Sequence, residues 1–171
     1  MAAREDRDEA FTAFVARSRT SLTRAAWFLT GNTDLAAELV QDVYVKTYVA
    51  WNRVRTDGAL AYARRVLVNT NIDRLRKQHG ETYLSDRPDI PDGRDAPAGV
   101  DERDEVARWL AVLPAKQRQV VVLRYGQDLS EHDTADTLGL TLSDVKVTAS
   151  RALAALRAHA SQLDLTKEYV R

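Results

Sequence analysis

Cysteine is absent from the chain, so neither a disulfide nor a thiolate metal site can form. A reducing compartment is consistent with that absence without being required by it. The histidines, His79, His132 and His159, are scattered and lack ligand spacing. Net charge is missing as well: 25 Lys and Arg balance 25 Asp and Glu over 171 residues. A neutral chain gains little from phosphate neutralisation, which dominates non-specific DNA binding. Any DNA contact must therefore come from local basic patches, or from a partner that supplies the grip. No stretch approaches the ~20 apolar residues of a membrane span, and Met1 to Ala10 is charged rather than apolar. The expectation is a soluble, cytoplasmic protein. Nor is there a Gly-rich phosphate loop, a nucleophile motif or a metal cluster, so no catalytic residue, cofactor or metal is expected.

Proline and glycine are few, and three of the four prolines and three of the seven glycines gather in one place. Pro88, Pro91, Pro97, Gly80, Gly93 and Gly99 all fall between Gln78 and Val100. Acidic residues at 81, 86, 89, 92 and 95 outnumber Arg87 and Arg94 there, and no helical periodicity survives. Residues 78–100 therefore read as an acidic, mobile linker. On either side the apolar spacing is helical and strand-like alternation is missing. The expected fold is all-α: two small helical domains, 5–77 and 101–163, with a helix-turn-helix in the second. In the first, Phe11, Phe14, Val15, Leu22, Ala26 and Leu29 share one face, and Gly31-Asn32 breaks the chain. Thr33 or Asn32 caps a second helix to about Trp51, with Leu35, Leu39, Val43, Thr47 and Trp51 inward. A loop from Asn52 to Gly58 leads to a helix over 59–78. In the second domain Val106, Trp109, Leu110 and Leu113 form a stripe that Pro114 ends. Helices are expected over 116–125, from a Ser130 cap to Leu138, and from a Thr141 cap to about Leu163.

Ala135, Gly139 and Val145 have the spacing of a DNA-binding helix-turn-helix. A small residue at 135 lets the second helix approach, and Gly139 suits the left-handed conformation that ends the first. Val145 plugs the angle between them. On a 3.6-residue wheel Val145, Ala149, Ala152 and Leu156 point inward. Ser143, Val147, Ser150 and Arg151 point outward, with Lys146 and Arg157 on the flanks. Ser and Arg can reach base edges, Val147 can meet a thymine methyl, and Lys146 suits a phosphate. The same residues would also serve an ordinary helical hairpin, and spacing alone does not separate the two.

Residues 59–79 carry Arg64, Arg65, Arg74, Arg76 and Lys77 against Asp73 alone. Leu60, Ala63, Leu67, Val68, Ile72 and Leu75 take one side of the wheel. Tyr62, Arg65, Asn69, Asp73 and Arg76 line up opposite, a mixture suited to stacking on opened bases and holding phosphate. A solvated amphipathic helix would look similar. Arg64 and Asn71 fall on the apolar side and read as structural. On the preceding helix Glu38, Gln41, Asp42 and Val45, extended by Val49, follow helical spacing away from the core stripe. That mixed face suits a protein partner, or else a plain solvent face with an Asp42–Lys46 pair.

Taken in order, three strings carry a family likeness: LAAELVQDVYVKTYVAW (35–51), AYARRVLVNTNIDRLRK (61–77) and LPAKQRQVVVLRYGQDLSEHDTADTLGLTLSDVKVTASRALAALR (113–157). From about Phe11 to Arg157 the chain resembles the extracytoplasmic-function class of bacterial sigma factors. The resemblance implies that Glu38, Gln41, Asp42 and Val45 dock on the clamp of core RNA polymerase. It implies that Tyr62, Arg65, Asn69, Asp73, Arg76 and Lys77 melt and read the minus-ten element of promoter DNA. The loop Asn52 to Asp57 would hold a flipped base. Arg118, Ser143, Lys146, Val147, Ser150 and Arg151 would contact the minus-thirty-five element, with Arg118 and Lys146 near phosphates. The linker would follow the polymerase's RNA-exit path, and surfaces on both domains would suit an anti-sigma factor. The chain departs from the family pattern at Ser143-Asp144, where Gly-Thr is common, at Val147, where Ser is usual, and at Ala37-Glu38 in place of Glu-Asp. An altered promoter preference is the expectation at the first two. The competing readings are a stand-alone helix-turn-helix regulator, a helical enzyme, and an anti-sigma or adaptor protein.

Overall fold

A computed structural model describes residues 2–54, 58–79 and 102–169. Among these every regular element is helical. The chain divides into two compact units, Met1–Glu81 and Thr82–Arg171. The linker reading over 78–100 falls mostly outside the described residues.

The first unit holds α1 (Ala2–Thr30), α2 (Thr33–Val49), α3 (Trp51–Val54) and α4 (Ala59–His79), with α2 packed on both α1 and α4. Helix α1 buries Phe14, Ser18, Leu22, Ala25, Ala26 and Leu29. It ends at Gly31, whose φ of +64° suits a residue without a side chain. Asn32, rather than Thr33, caps α2: its Oδ1 accepts from the Leu35 amide at 2.9 Å. The inward stripe of α2 is Ala36, Leu39, Val40, Val43 and Thr47, and Leu35 is only half-buried. The expected single helix to Trp51 instead breaks at Ala50. Its amide still bonds to the Lys46 carbonyl, but a new turn begins and swings Trp51 inward, where it is 2% exposed. There the indole meets Phe14 and Phe11 at ring separations of 5.2 and 5.1 Å. Phe11 also meets Tyr48 edge-on at 4.9 Å. Such aromatic pairs contribute about 0.5–1.5 kcal/mol each beyond area burial, enough to justify the break. The loop expected from Asn52 thus begins as helix, and its residues 55–57 lie outside the described set.

In the second unit α5 (Glu102–Ala111) and α6 (Ala115–Val121) precede a π-helical turn, Val122–Gly126. Then come α7 (Glu131–Leu138) and α8 (Leu142–Tyr169). Val106 was expected on the core stripe of α5 but is 45% exposed, and Ala107 is buried in its place beside Leu110. The helix expected over 116–125 loosens after Val121. Its wider turn is closed by the Gln127 amide on the Val122 carbonyl at 2.9 Å. Helix α8 runs past the expected end at Leu163.

Candidate nucleic-acid interfaces

The helix-turn-helix forms as its spacing requires. Ser130 Oγ accepts from the Asp133 amide at 3.0 Å and starts α7. Gly139 ends it at φ +64°, and the Leu140 amide returns to the Ala135 carbonyl at 3.0 Å. Thr141 and Asp144 close the capping box of α8. Thr141 Oγ1 accepts from the Asp144 amide at 3.1 Å, while Asp144 Oδ2 accepts from the Thr141 hydroxyl at 2.7 Å. Val120, Ala135 and Val145 form the small core that sets the angle between the helices, flanked by Leu138, Leu140 and Ala149. Ser143, Lys146, Val147, Ser150 and Arg151 are all exposed, as their wheel positions predict.

Arg118 is a correction. It was expected near phosphate, yet it is only 9% exposed, with its guanidinium turned into the unit. Nε donates to the Leu110 carbonyl at 2.9 Å, and NH2 to those of Leu113 and Ala111 at 3.0 and 3.2 Å. These carbonyls lie at the end of α5 and in the turn after it, where the Leu110 carbonyl also accepts from the Leu113 amide at 3.1 Å. A fork of donors held on three carbonyls does not turn outward to meet DNA.

The sequence reading did not single out Arg124 and Tyr125. With Glu131, Lys146, Ala149, Ser150, Leu153 and Arg157 they line a depression of about 250 Å³ beside the outward face of α8. Arg124 lies over the Tyr125 ring at 5.6 Å and donates to the Leu129 carbonyl. A continuous α-helix over 116–125 gave no signal for this, because only the π turn re-aims the two side chains. Lys146 pairs with Glu131 across the depression at 3.6 Å, with both side chains largely solvated. Such a pair contributes at most about 1 kcal/mol and yields readily to a phosphate.

In the first unit α4 buries Ala63, Leu67, Val68 and Leu75. Arg65, Asn69, Asp73, Arg76 and Lys77 are exposed, and Tyr62 is half-buried. Asn71, 1% exposed, accepts through Oδ1 from Arg74 at 3.1 Å, in line with the structural role expected for it. On α2, Glu38, Gln41, Asp42 and Val45 share an exposed face, with Val45 and Val49 at 59% and 79% exposure. Lys46 reaches across to α4, where Nζ donates to Thr70 Oγ1 at 2.9 Å, instead of pairing with Asp42.

Known families match both units. Sigma-70 region 2 matches residues 6–81, and Sigma-70 region 4 matches residues 109–158. The chain is 34% identical to an RNA polymerase sigma-E factor of Streptomyces avermitilis, over 91% of this chain and 87% of that one. A sigma-E factor of Streptomyces coelicolor is also 34% identical, covering 91% and 88%. Among solved structures, the sigma factor RpoE of Bartonella quintana, crystallised with the anti-sigma factor NepR, superposes with a TM-score of 0.69. It is 24% identical, over 86% of this chain and 94% of that one. CnrH, solved with the cytosolic domain of CnrY, gives 0.68 at 24% identity, covering 91% and 90%. These two establish the likeness of fold. A stand-alone helix-turn-helix regulator would leave the first unit's match unexplained. The chain belongs to the extracytoplasmic-function class of bacterial RNA polymerase sigma factors, non-enzymatic regulators that direct core polymerase to promoters.

Proposed function

We propose that the two halves divide the work of initiation. Residues 5–77 dock on core polymerase through Glu38, Gln41, Asp42 and Val45 of α2. The same half opens and reads the minus-ten element with Tyr62, Arg65, Asn69, Asp73, Arg76 and Lys77 of α4. Residues 101–163 read the minus-thirty-five element with Ser143, Lys146, Val147, Ser150 and Arg151 of α8, and residues 78–100 join the two. Arg118 leaves this set for the reason given above. The chain has no catalysis of its own, works in the cytoplasm beside the polymerase, and is held in check by an anti-sigma factor, the kind of partner found with the Bartonella protein.

One observation carries the division. Each unit presents a helix whose outward face stands clear of its own core, on α4 through Arg65, Asn69 and Arg76 and on α8 through Ser143, Val147 and Ser150. The neutral net charge fits a DNA reader that relies on a partner for affinity. The test is run-off transcription by core polymerase reconstituted with the full chain. Promoter-dependent transcripts are expected, and Asp42→Arg should weaken core binding while leaving the fold intact. A purified chain with no affinity for core polymerase would overturn the proposal.

A further inference from the structure

The first two turns of the outward ridge of α8 have little to bind guanine with. Ser143 and Val147 line them, exposed and uncharged, and Ser150, Arg151 and Ala154 follow further along. In those turns the one cation is Lys146, on the flank and drawn toward Glu131, while Arg151 stands two turns beyond Ser143. A bidentate contact from Arg or Lys to guanine is therefore not the natural readout at the helix start. Two other features are. Val147 is an apolar side chain, 45% exposed, in the middle of the ridge. Asp144, one turn earlier and adjacent to it on the helix surface, is held in place through Oδ2, which accepts from both the hydroxyl and the amide of Thr141. Its Oδ1 takes part in no hydrogen bond among the described residues, and the residue is exposed. A carboxylate oxygen can only accept, so phosphate and the N7 and O6 of guanine are closed to it. In the major groove it needs the amino group of cytosine or adenine.

We propose that Asp144 and Val147 together read one base pair that carries a C5-methyl group and an exocyclic amino donor. Thymine·adenine has both, and so does 5-methylcytosine·guanine. Cytosine·guanine and uracil·adenine lack the methyl group. Recognition by this helix is then sensitive to cytosine methylation at one position of the element. The inference rests on the recognition-helix reading above.

The test uses holoenzyme reconstituted with the full chain. Selection from duplexes with a randomised upstream region defines the preferred element, and single base pairs in it are then replaced. At one position, uracil·adenine and cytosine·guanine should bind roughly fourfold more weakly than thymine·adenine and 5-methylcytosine·guanine, the effect of one buried methyl group. Val147→Ala, at an exposed site, should erase that difference. Replacing adenine there by 2-aminopurine, which moves the amino group out of the major groove, should cost about tenfold with the natural chain and nothing with Asp144→Ala. An enriched element that ignores the methyl group at every position overturns this inference and leaves the recognition helix standing. Failure to enrich any upstream element overturns both.

Discussion

Arg118 shows how a side chain's partners decide its role against its charge. Its guanidinium holds three carbonyls around the α5–α6 turn. Arg118→Ala should take this donor from the Ala111 and Leu113 carbonyls, with Leu110 keeping the Leu113 amide, and destabilise the second unit by about 2–4 kcal/mol, read as a fall in thermal unfolding temperature. Arg118→Lys should recover little, since a single ammonium does not reproduce the planar fork. Neither change should lower the salt slope of promoter binding, whereas losing a phosphate contact lowers it by about one. Tyr48 makes a second case. Its hydroxyl donates to Asp8 at 2.5 Å while Arg7 lies 4.4 Å over its ring. That hydrogen bond, then burial and the Asp8 charge, raise its pKa above the ordinary tyrosine value. The bonded phenol is the neutral form. Its contribution is therefore complete below about pH 10 and is lost as pH rises through the raised value. Tyr48→Phe should remove this alkaline component from the pH profile of unfolding. At the acid end Asp144 acts in the opposite sense. The Thr141 hydroxyl and amide, with Lys116 nearby, hold its carboxyl below the usual range, so the cap's contribution is lost as pH falls.

At the scale of elements, legibility followed local chemistry. The two capping boxes and the Gly139 stop are written in residues three or four apart, and they formed where expected. Gly139 has no neighbour within 4 Å of where a Cβ would stand, so only backbone strain opposes a side chain there. Gly139→Ala should cost about 1–2 kcal/mol and Gly139→Asn less, measured by denaturant unfolding of the full chain. The break at Ala50 and the π turn were not legible, because neither has a proline or glycine where it begins, and Gly126 stands only at the end of the second. The first is settled by where Trp51 finds Phe11 and Phe14, distant in sequence. The second depends on how α6 must end to bring Leu129 under it, with the Leu129 amide bonding to the Leu123 carbonyl at 3.0 Å. The Arg118 expectation came from the family likeness, which does not say that the carbonyls of Leu110, Ala111 and Leu113 lie within its reach. The outward faces of α4 and α8 were legible because each follows from periodicity alone, whereas the function of those faces came from the family likeness.

For the whole molecule, the consequence of two separate units is that their contributions to initiation can be separated. The first unit's α4 face and the second unit's α8 face share no side chain and belong to different compact bodies. Substitutions in them should therefore act on different steps and add in free energy to within about 0.5 kcal/mol. Lys146→Ala should weaken the initial complex with duplex promoter and reduce its salt slope by about one, with little effect on strand opening once bound. Arg65→Ala with Arg76→Ala should leave upstream binding nearly intact and reduce strand opening, followed by permanganate reactivity of unpaired thymines in the minus-ten region. Combining all three should give the product of the separate defects. A combined defect well short of that product would mean that the two faces act on a common step, and the division of labour between the units would have to be abandoned. The net charge of zero sharpens this comparison. With no overall positive field to compensate, each cation removed from an exposed face should register in the step that face serves.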